Sequence, residues 1–181
     1  RSSASKSIRT LRVGGQLITS TILPGAAKRR SLPRHGPQST IVTTSGASAR
    51  AEWIEEYVDG GVMPVSGPRL FLPRVLGPLL GRPPADENDI KKVVEEELPR
   101  YFDYLDSQLG DSGYFVGNAL SIADVSVSAI FGNIRLAGVN PDKKRQPKLH
   151  AFIKRMHGRE TFKKINDPVK EFVGKLWTEM D

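Results

Sequence analysis

The stretch from Ile122 to Ala137 constrains this chain more than any other. Ile122, Ala123, Val125, Val127, Ala129, Ile130, Phe131, Ile134, Leu136 and Ala137 leave almost no polar face, and Arg135 is the one charge after Asp124. A helix apolar on nearly every side predicts the central member of a helical bundle. Its start is marked as well. Ser121 is placed as an N-cap whose hydroxyl accepts from the backbone N–H of Asp124, while the Asp124 carboxylate reaches back to the N–H of Ser121. This is a capping box with Asp where Glu is commoner. Leu120 and Val125 hold the two positions of a hydrophobic staple around the same box. A buried helix start without such a cap would strand N–H groups, at about 0.5–2 kcal/mol for loss of the cap side chain.

Other segments show the same periodicity. Residues 86–109 read as a long helix capped by Asp86 or Asp89, with Ile90, Val93, Val94, Leu98, Tyr101, Phe102, Leu105 and Leu109 on one face and Glu97 breaking it. Pro99 should bend this helix, and Gly110 and Gly113 end it. Residues 51–59 predict a helix with Trp53, Ile54, Tyr57 and Val58 on one face, after which Gly60, Gly61, Pro64, Gly67 and Pro68 interrupt or kink the chain. Leu70 to Leu80 is apolar and limited by Pro73 and Pro78. A helix over 146–157 turns Leu149, Phe152, Ile153 and Met156 inward, after a basic turn at Lys143, Lys144 and Arg145 that reads as solvated. Phe162, Ile165, Val169, Phe172, Val173, Leu176 and Trp177 supply a final amphipathic segment.

The formal net charge of +7 would suggest an anionic partner if it were spread over the molecule, but it is not. Residues 1–50 hold nine Arg and Lys and no acid, whereas the remainder holds 18 basic and 20 acidic residues. The basic segment is rich in Ser and Thr and has no sustained helical stripe, which argues for a disordered or loosely attached arm with at most one short strand near Gly15 to Leu23. Its composition also matches an organellar transit segment or a reading frame never selected to fold. It has no aromatic residue to stack on a base, which argues against a nucleic-acid arm. The first residue is Arg1 rather than Met, as expected after processing, trimming or an incomplete record. There is no cysteine, so disulfides, thiolate metal sites and cysteine nucleophiles are excluded, and no run reaches the roughly 18 apolar residues that would span a bilayer.

Phe115-Val-Gly-Asn-Ala-Leu-Ser-Ile-Ala-Asp124, opening a central apolar helix, follows Leu105-Asp-Ser-Gln-Leu109 and precedes Pro147-Lys-Leu-His-Ala-Phe-Ile-Lys-Arg-Met156. Together these resemble the C-terminal domain of soluble glutathione transferases. Arg50-Ala-Glu-Trp-Ile-Glu-Glu-Tyr-Val-Asp59 is similar to the first helix of that domain in bacterial members. The resemblance covers 49 to about 166 and implies an all-α bundle of about 5–6 helices over 49–181, with 1–48 a basic, largely irregular segment. It makes Ser121 and Asp124 a structural N-cap and folding nucleus rather than catalytic groups. It implies glutathione as co-substrate, a hydrophobic electrophile, a homodimer, a role in detoxification, and a cytoplasmic location unless 1–48 is a transit segment.

In the family, glutathione sits on a preceding thioredoxin-like domain that supplies a thiolate-stabilising Tyr, Ser or Cys. Such a domain needs roughly 80 residues, more than precede the helical part here, and no acid-serine pair, Tyr or Cys occurs before Trp53. The catalytic group is therefore unassigned. The helical domain normally contributes the wall of the hydrophobic-substrate site, which by position falls to Trp53, Tyr57, Gly61 and Phe71; bundle core or dimer contact is the competing role for the two aromatic residues of the first helix. Asp59 and Arg135 are polar groups near the same region, expected to be solvated or salt-bridged. His35, His150 and His157 lack metal-ligand spacing, and no phosphate-cradling Gly-rich loop is present. Three functions remain open: a glutathione-conjugating enzyme, a non-catalytic helical interaction module, and a truncated family member without activity of its own.

Overall fold

The computed structural model of the chain describes residues 7–13, 16–22, 45–83 and 85–181. The expectations of disorder, an arm or a transit segment for 1–48 concern residues that lie mostly outside these. The chain divides into two units, Arg1–Gln38 and Ser39–Asp181. In the first, β1 (Ser7–Val13) and β2 (Gln16–Ile22) pair antiparallel, with Ser7 opposite Ile22 and Val13 opposite Gln16. The segment thus holds a pair of strands where the composition suggested at most one. Gly14-Gly15 between two runs rich in Ile, Val and Thr is the local sequence signal for such a pairing.

Every element described in the second unit is a helix or a helical turn. Helix α1 (Ser45–Tyr57) does not stop at the glycines that follow it. Helical backbone continues through Val58–Val62, Met63–Ser66, Gly67–Leu76 and Gly77–Leu79, alternating ordinary turns with wider π-type turns. Pro64 and Pro68 were expected to interrupt or kink this stretch, and Pro73 and Pro78 to limit its regularity. A wider turn absorbs a residue that has no N–H and whose ring crowds the previous turn, so the helix is deformed rather than ended. Met63 N–H reaches back to the carbonyl of Val58 and Gly77 N–H to that of Leu72. At Gly77 the approach is close: a Cβ would lie 3.1 Å from the Leu72 carbonyl oxygen.

Helix α2 (Glu87–Lys92) starts at Asp86, whose carboxylate accepts from Asn88 N–H at 2.8 Å. A wide turn at Val93–Glu97 joins it to α3 (Leu98–Gln108), so the bend required by Pro99 is taken up in the turn before it. Helices α4 (Ile122–Leu136), α5 (Pro147–His157) and α6 (Glu160–Val173) complete the bundle, α6 passing through Pro168. Helix α4 packs against α1, the turns after it, α5 and α6, which is the central position its composition demands. Val127, Phe131 and Ile134 of α4 meet Ile54 of α1, Val58 of the turn after it, Leu98, Phe102 and Leu105 of α3, and Leu149, Phe152, Ile153 and Met156 of α5 in one core. Phe102 and Phe131 lie 4.9 Å apart, and Phe115 packs edge-on to Phe152 at 5.0 Å. Each such ring contributes about 1.5–3 kcal/mol by leaving water.

Several positions depart from the sequence reading. The first turn of α4 is enclosed on one side only, since Ala123 and Asp124 are buried while Ile122 and Val125 are 49% and 39% exposed. Leu120 packs on the core while Val125 faces out, so the staple residues do not share one buried face. Glu97, the break in an apolar face, is ion-paired with Arg69. Arg145 is not part of a free basic loop: its guanidinium grips Asp103 through two hydrogen bonds of 2.9 and 2.5 Å. Asp103 also accepts from the buried Gln146 side chain at 2.6 Å, and these donors hold its carboxyl below the usual range, the Arg145 hydrogen bond foremost. On α6, Phe162 and Val173 pack inward whereas Ile165 and Phe172 are exposed.

Candidate functional site

The Ser121–Asp124 pair forms the predicted capping box. Asp124 is fully buried, and its carboxylate ties the preceding loop to the start of α4. One oxygen accepts from Phe115 N–H at 3.1 Å; the other accepts from Ser121 N–H at 2.8 Å and from the Ser121 hydroxyl at 2.6 Å. The link to Phe115 lies outside the local motif and pins the preceding loop to the helix start. Three of the carboxylate's roughly four lone-pair sites accept from backbone or from the cap residue, and the group is fully buried, so the pair is structural and presents nothing to a substrate.

The four candidate substrate residues fall into two places. Trp53, Tyr57 and Gly61 recur every four residues and form a ledge against α3. Trp53 is 57% exposed and donates its indole N–H to the Tyr104 hydroxyl at 2.7 Å. Tyr57 stacks at 4.2 Å on Tyr104 and 5.9 Å from Tyr101. Gly61 leaves room for the Tyr101 ring, which a Cβ there would meet at 3.2 Å. Burial, and after it the neighbouring phenols, push the Tyr57 hydroxyl above its ordinary value, so it remains a proton donor. Tyr104 was not singled out from the sequence; its place one turn beyond Tyr101 on α3 was the available signal.

Phe71 lies elsewhere, in a hollow of about 380 Å³ between the Met63–Ser66 and Gly67–Leu76 turns and α4. Met63, Leu72, Leu76 and Ile130 make its walls, with Ser66 and Asn133 as its polar groups. The Ser66 hydroxyl is buried and has no hydrogen-bond partner among the described residues. No charged side chain lines this hollow, which suits an apolar guest with one hydrogen-bonding group.

Asp59 is exposed, as expected of a solvated residue. Arg135 is neither solvated nor salt-bridged and is not near the ledge. The last turn of α4 is covered by 174–181, and the guanidinium there donates to Asn140, to His157 Nδ1 at 2.9 Å and to the Thr178 carbonyl. His157 faces the Ser128 carbonyl through Nε2 at 2.8 Å. A carbonyl only accepts, so Nε2 carries the proton and Nδ1 offers its lone pair to Arg135. Burial lowers His157 to about 4 and Arg135 to about 10. Among the described residues no three acidic or imidazole side chains gather as metal ligands would.

Residues 79–165 match the sequence profile described as the glutathione S-transferase C-terminal domain. No curated protein sequence matches the chain. Several solved structures are similar, two of them as follows. A glutathione S-transferase from Rhodospirillum rubrum shares 16% identity at a TM-score of 0.60, over 70% of this chain and 56% of that one. A glutathione transferase from Populus trichocarpa shares 22% at a TM-score of 0.59, over 75% of this chain and 62% of that one. At these identities the likeness is one of fold, and the chain spans less than two thirds of either structure. The helical unit is thus an all-α bundle with the fold of a glutathione transferase C-terminal domain.

Proposed function

We propose, from the premise that the helical unit is of the glutathione transferase C-terminal type, that it supplies the hydrophobic-substrate side of a glutathione-conjugating enzyme. The glutathione side would be provided by a separate thioredoxin-like domain. The observation that carries this reading is the uncharged hollow beside Phe71, with apolar walls and one uncommitted hydroxyl at Ser66. In conjugation the glutathione thiolate attacks an electrophilic carbon held against such walls, and a group that stabilises the thiolate lowers the barrier. Tyr57 is held protonated, but it sits in the ledge with Tyr101 and Tyr104 rather than beside Phe71. The helical unit therefore binds the electrophile, and alone it turns over poorly. Trp53, Tyr57 and Gly61 form a second apolar surface on the same helical run, where a homodimer contact or a further wall of the substrate site would lie. Residues 49–181 act as this domain, and 1–48 as an appended basic segment. The protein would work in the cytoplasm without a metal. No helix among the described residues is long and apolar enough to cross a membrane.

The competing function is that of a non-catalytic helical module that docks a protein partner. Exposed Trp53, Met63, Ile165 and Phe172 favour it. Calorimetric titration separates the two readings, using glutathione, then a hydrophobic chloronitroarene, with an intact glutathione transferase as positive control. The arene should bind and Phe71→Ala should weaken it, while glutathione should not bind this chain alone. Arene affinity unchanged by Phe71→Ala, or no arene binding, would remove the substrate-wall reading and leave the docking module. Glutathione turnover comparable with the control would overturn the division of labour between domains.

A further inference from the structure

At the opposite end of α4 from the capping box lies a cleft of about 420 Å³, bounded by the ends of α4 and α5, by α6 and by 174–181. Its base is the Arg135 guanidinium, which is 4% exposed. The acceptors of Arg135 are all neutral: the Asn140 side-chain oxygen at 2.9 Å, His157 Nδ1 at 2.9 Å and the Thr178 carbonyl at 3.3 Å. No carboxylate forms an ion pair with Arg135 among the described residues. A buried cation without a counter-charge is costly, and proteins ordinarily pair it. Three of the five guanidinium N–H bonds are committed, so donor capacity is left over.

Trp177 supplies the second observation. Its ring lies 3.8 Å beneath the guanidinium carbon, and its indole N–H is buried beside the Glu179 carboxylate, which it helps to hold below the usual carboxylate range, without closing a hydrogen bond of good geometry. An indole N–H only donates, so the group that satisfies it must carry a lone pair. The walls carry further positive charge from Lys154, Lys163 and Lys170. Against these stand two carboxylates, Asp167 and Glu179; Glu179 is paired with Lys170 and also attracts Arg135. His157, neutral with its proton on Nε2, adds no charge. The cleft therefore holds four cations, Arg135, Lys154, Lys163 and Lys170, against two carboxylates, and two N–H bonds of the Arg135 guanidinium are uncommitted among the described residues. Its size falls within the range of about 300–1,000 Å³ typical of small-ligand sites.

We infer that this cleft binds a small organic anion, its oxyanion head group seated on the Arg135 guanidinium beside the Trp177 ring and steered by Lys154 and Lys163. The site is separate from the Phe71 hollow and does not depend on the conjugation reading. A carboxylate and a phosphate share the required chemistry, and the two are distinguished by separate titrations.

The chain has two tryptophans, so Trp53→Phe leaves Trp177 as the only indole. Its fluorescence is titrated with inorganic phosphate and with benzoate at ionic strength held constant by chloride. A saturable change is expected with at least one probe, together with a rise in melting temperature. Response to phosphate alone assigns a phosphate head group, and response to benzoate a carboxylate on an apolar body. Lys154 and Lys163 are exposed, so Lys154→Gln with Lys163→Gln should leave the fold intact while weakening binding about tenfold. Absence of a saturable change with both probes, the same change with chloride alone, or undiminished affinity in a folded double variant would overturn the inference.

Discussion

Replacing Asp124 by Ala should be among the most damaging single changes the bundle can suffer. Its carboxylate accepts from two backbone N–H groups, at Phe115 and Ser121, and from the Ser121 hydroxyl. Alanine leaves both backbone donors without a partner in a region that is buried at Phe115 and partly buried at Ser121. A stranded buried donor costs about 1–3 kcal/mol, and loss of the cap adds to it, so the expected destabilisation is about 3–5 kcal/mol. Domains of this kind are stable by about 5–15 kcal/mol in all. Asp124→Asn keeps the shape but turns an NH₂ group toward an N–H, and should cost about 2–3 kcal/mol. Ser121→Ala removes only the hydroxyl, at about 0.5–2 kcal/mol. Urea unfolding followed by far-ultraviolet circular dichroism measures all three, provided the slope with denaturant is unchanged. If Asp124→Ala lies within about 1 kcal/mol of the unaltered chain, the claim that this carboxylate holds the loop to the helix is wrong.

Three further outcomes follow from the same structure. His157 is depressed to about 4 by burial, so the unfolded chain binds more protons than the folded one at mildly acidic pH. Its contribution is complete above the ordinary histidine value of about 6.5 and is lost as pH falls toward 4, by up to about 3 kcal/mol. His157→Gln, which retains an acceptor for Arg135 and a donor for Ser128, should flatten that part of the stability profile in urea titrations at successive pH values. Gly138 has a φ of +81°, and a Cβ there would lie 3.0 Å from the Leu176 carbonyl oxygen. Gly138→Ala should cost about 1–2 kcal/mol and hasten proteolysis of 174–181, and equal melting and cleavage rates would contradict this. Ser66→Ala removes a buried hydroxyl that lacks a partner, so it should raise stability by about 1 kcal/mol while weakening a hydrogen-bonding guest in the Phe71 hollow. A loss of stability would show that the hydroxyl is satisfied after all.

Helix starts and the core face were legible because they are local. The cap at Asp86, the box at Ser121 and the inward stripe Leu149, Phe152, Ile153 and Met156 depend on residues within a turn or two of one another. The proline-rich run after Tyr57 was legible as irregular but not as continuous helix, because a proline fixes what one turn cannot do, not what a wider turn supported by neighbouring helices can absorb. The candidate site was only half legible. Trp53, Tyr57 and Gly61 share a helix face and stay together, but Phe71 is carried to a different surface by the wide turns between them.

By itself, then, the sequence determined the helical class, the central place of Ile122–Leu136 and the structural role of Ser121 and Asp124. These follow from periodicity and from hydrogen bonds that close within four residues. Tertiary structure alone decided that Ile54 would be buried and its neighbour Trp53 exposed, that Arg145 would find Asp103, and that Arg135 would be enclosed beside Trp177 without a carboxylate. Burial and pairing at those positions depend on groups dozens of residues away, whose approach is set by how whole helices pack, and a side chain's own neighbours in the chain carry no record of it.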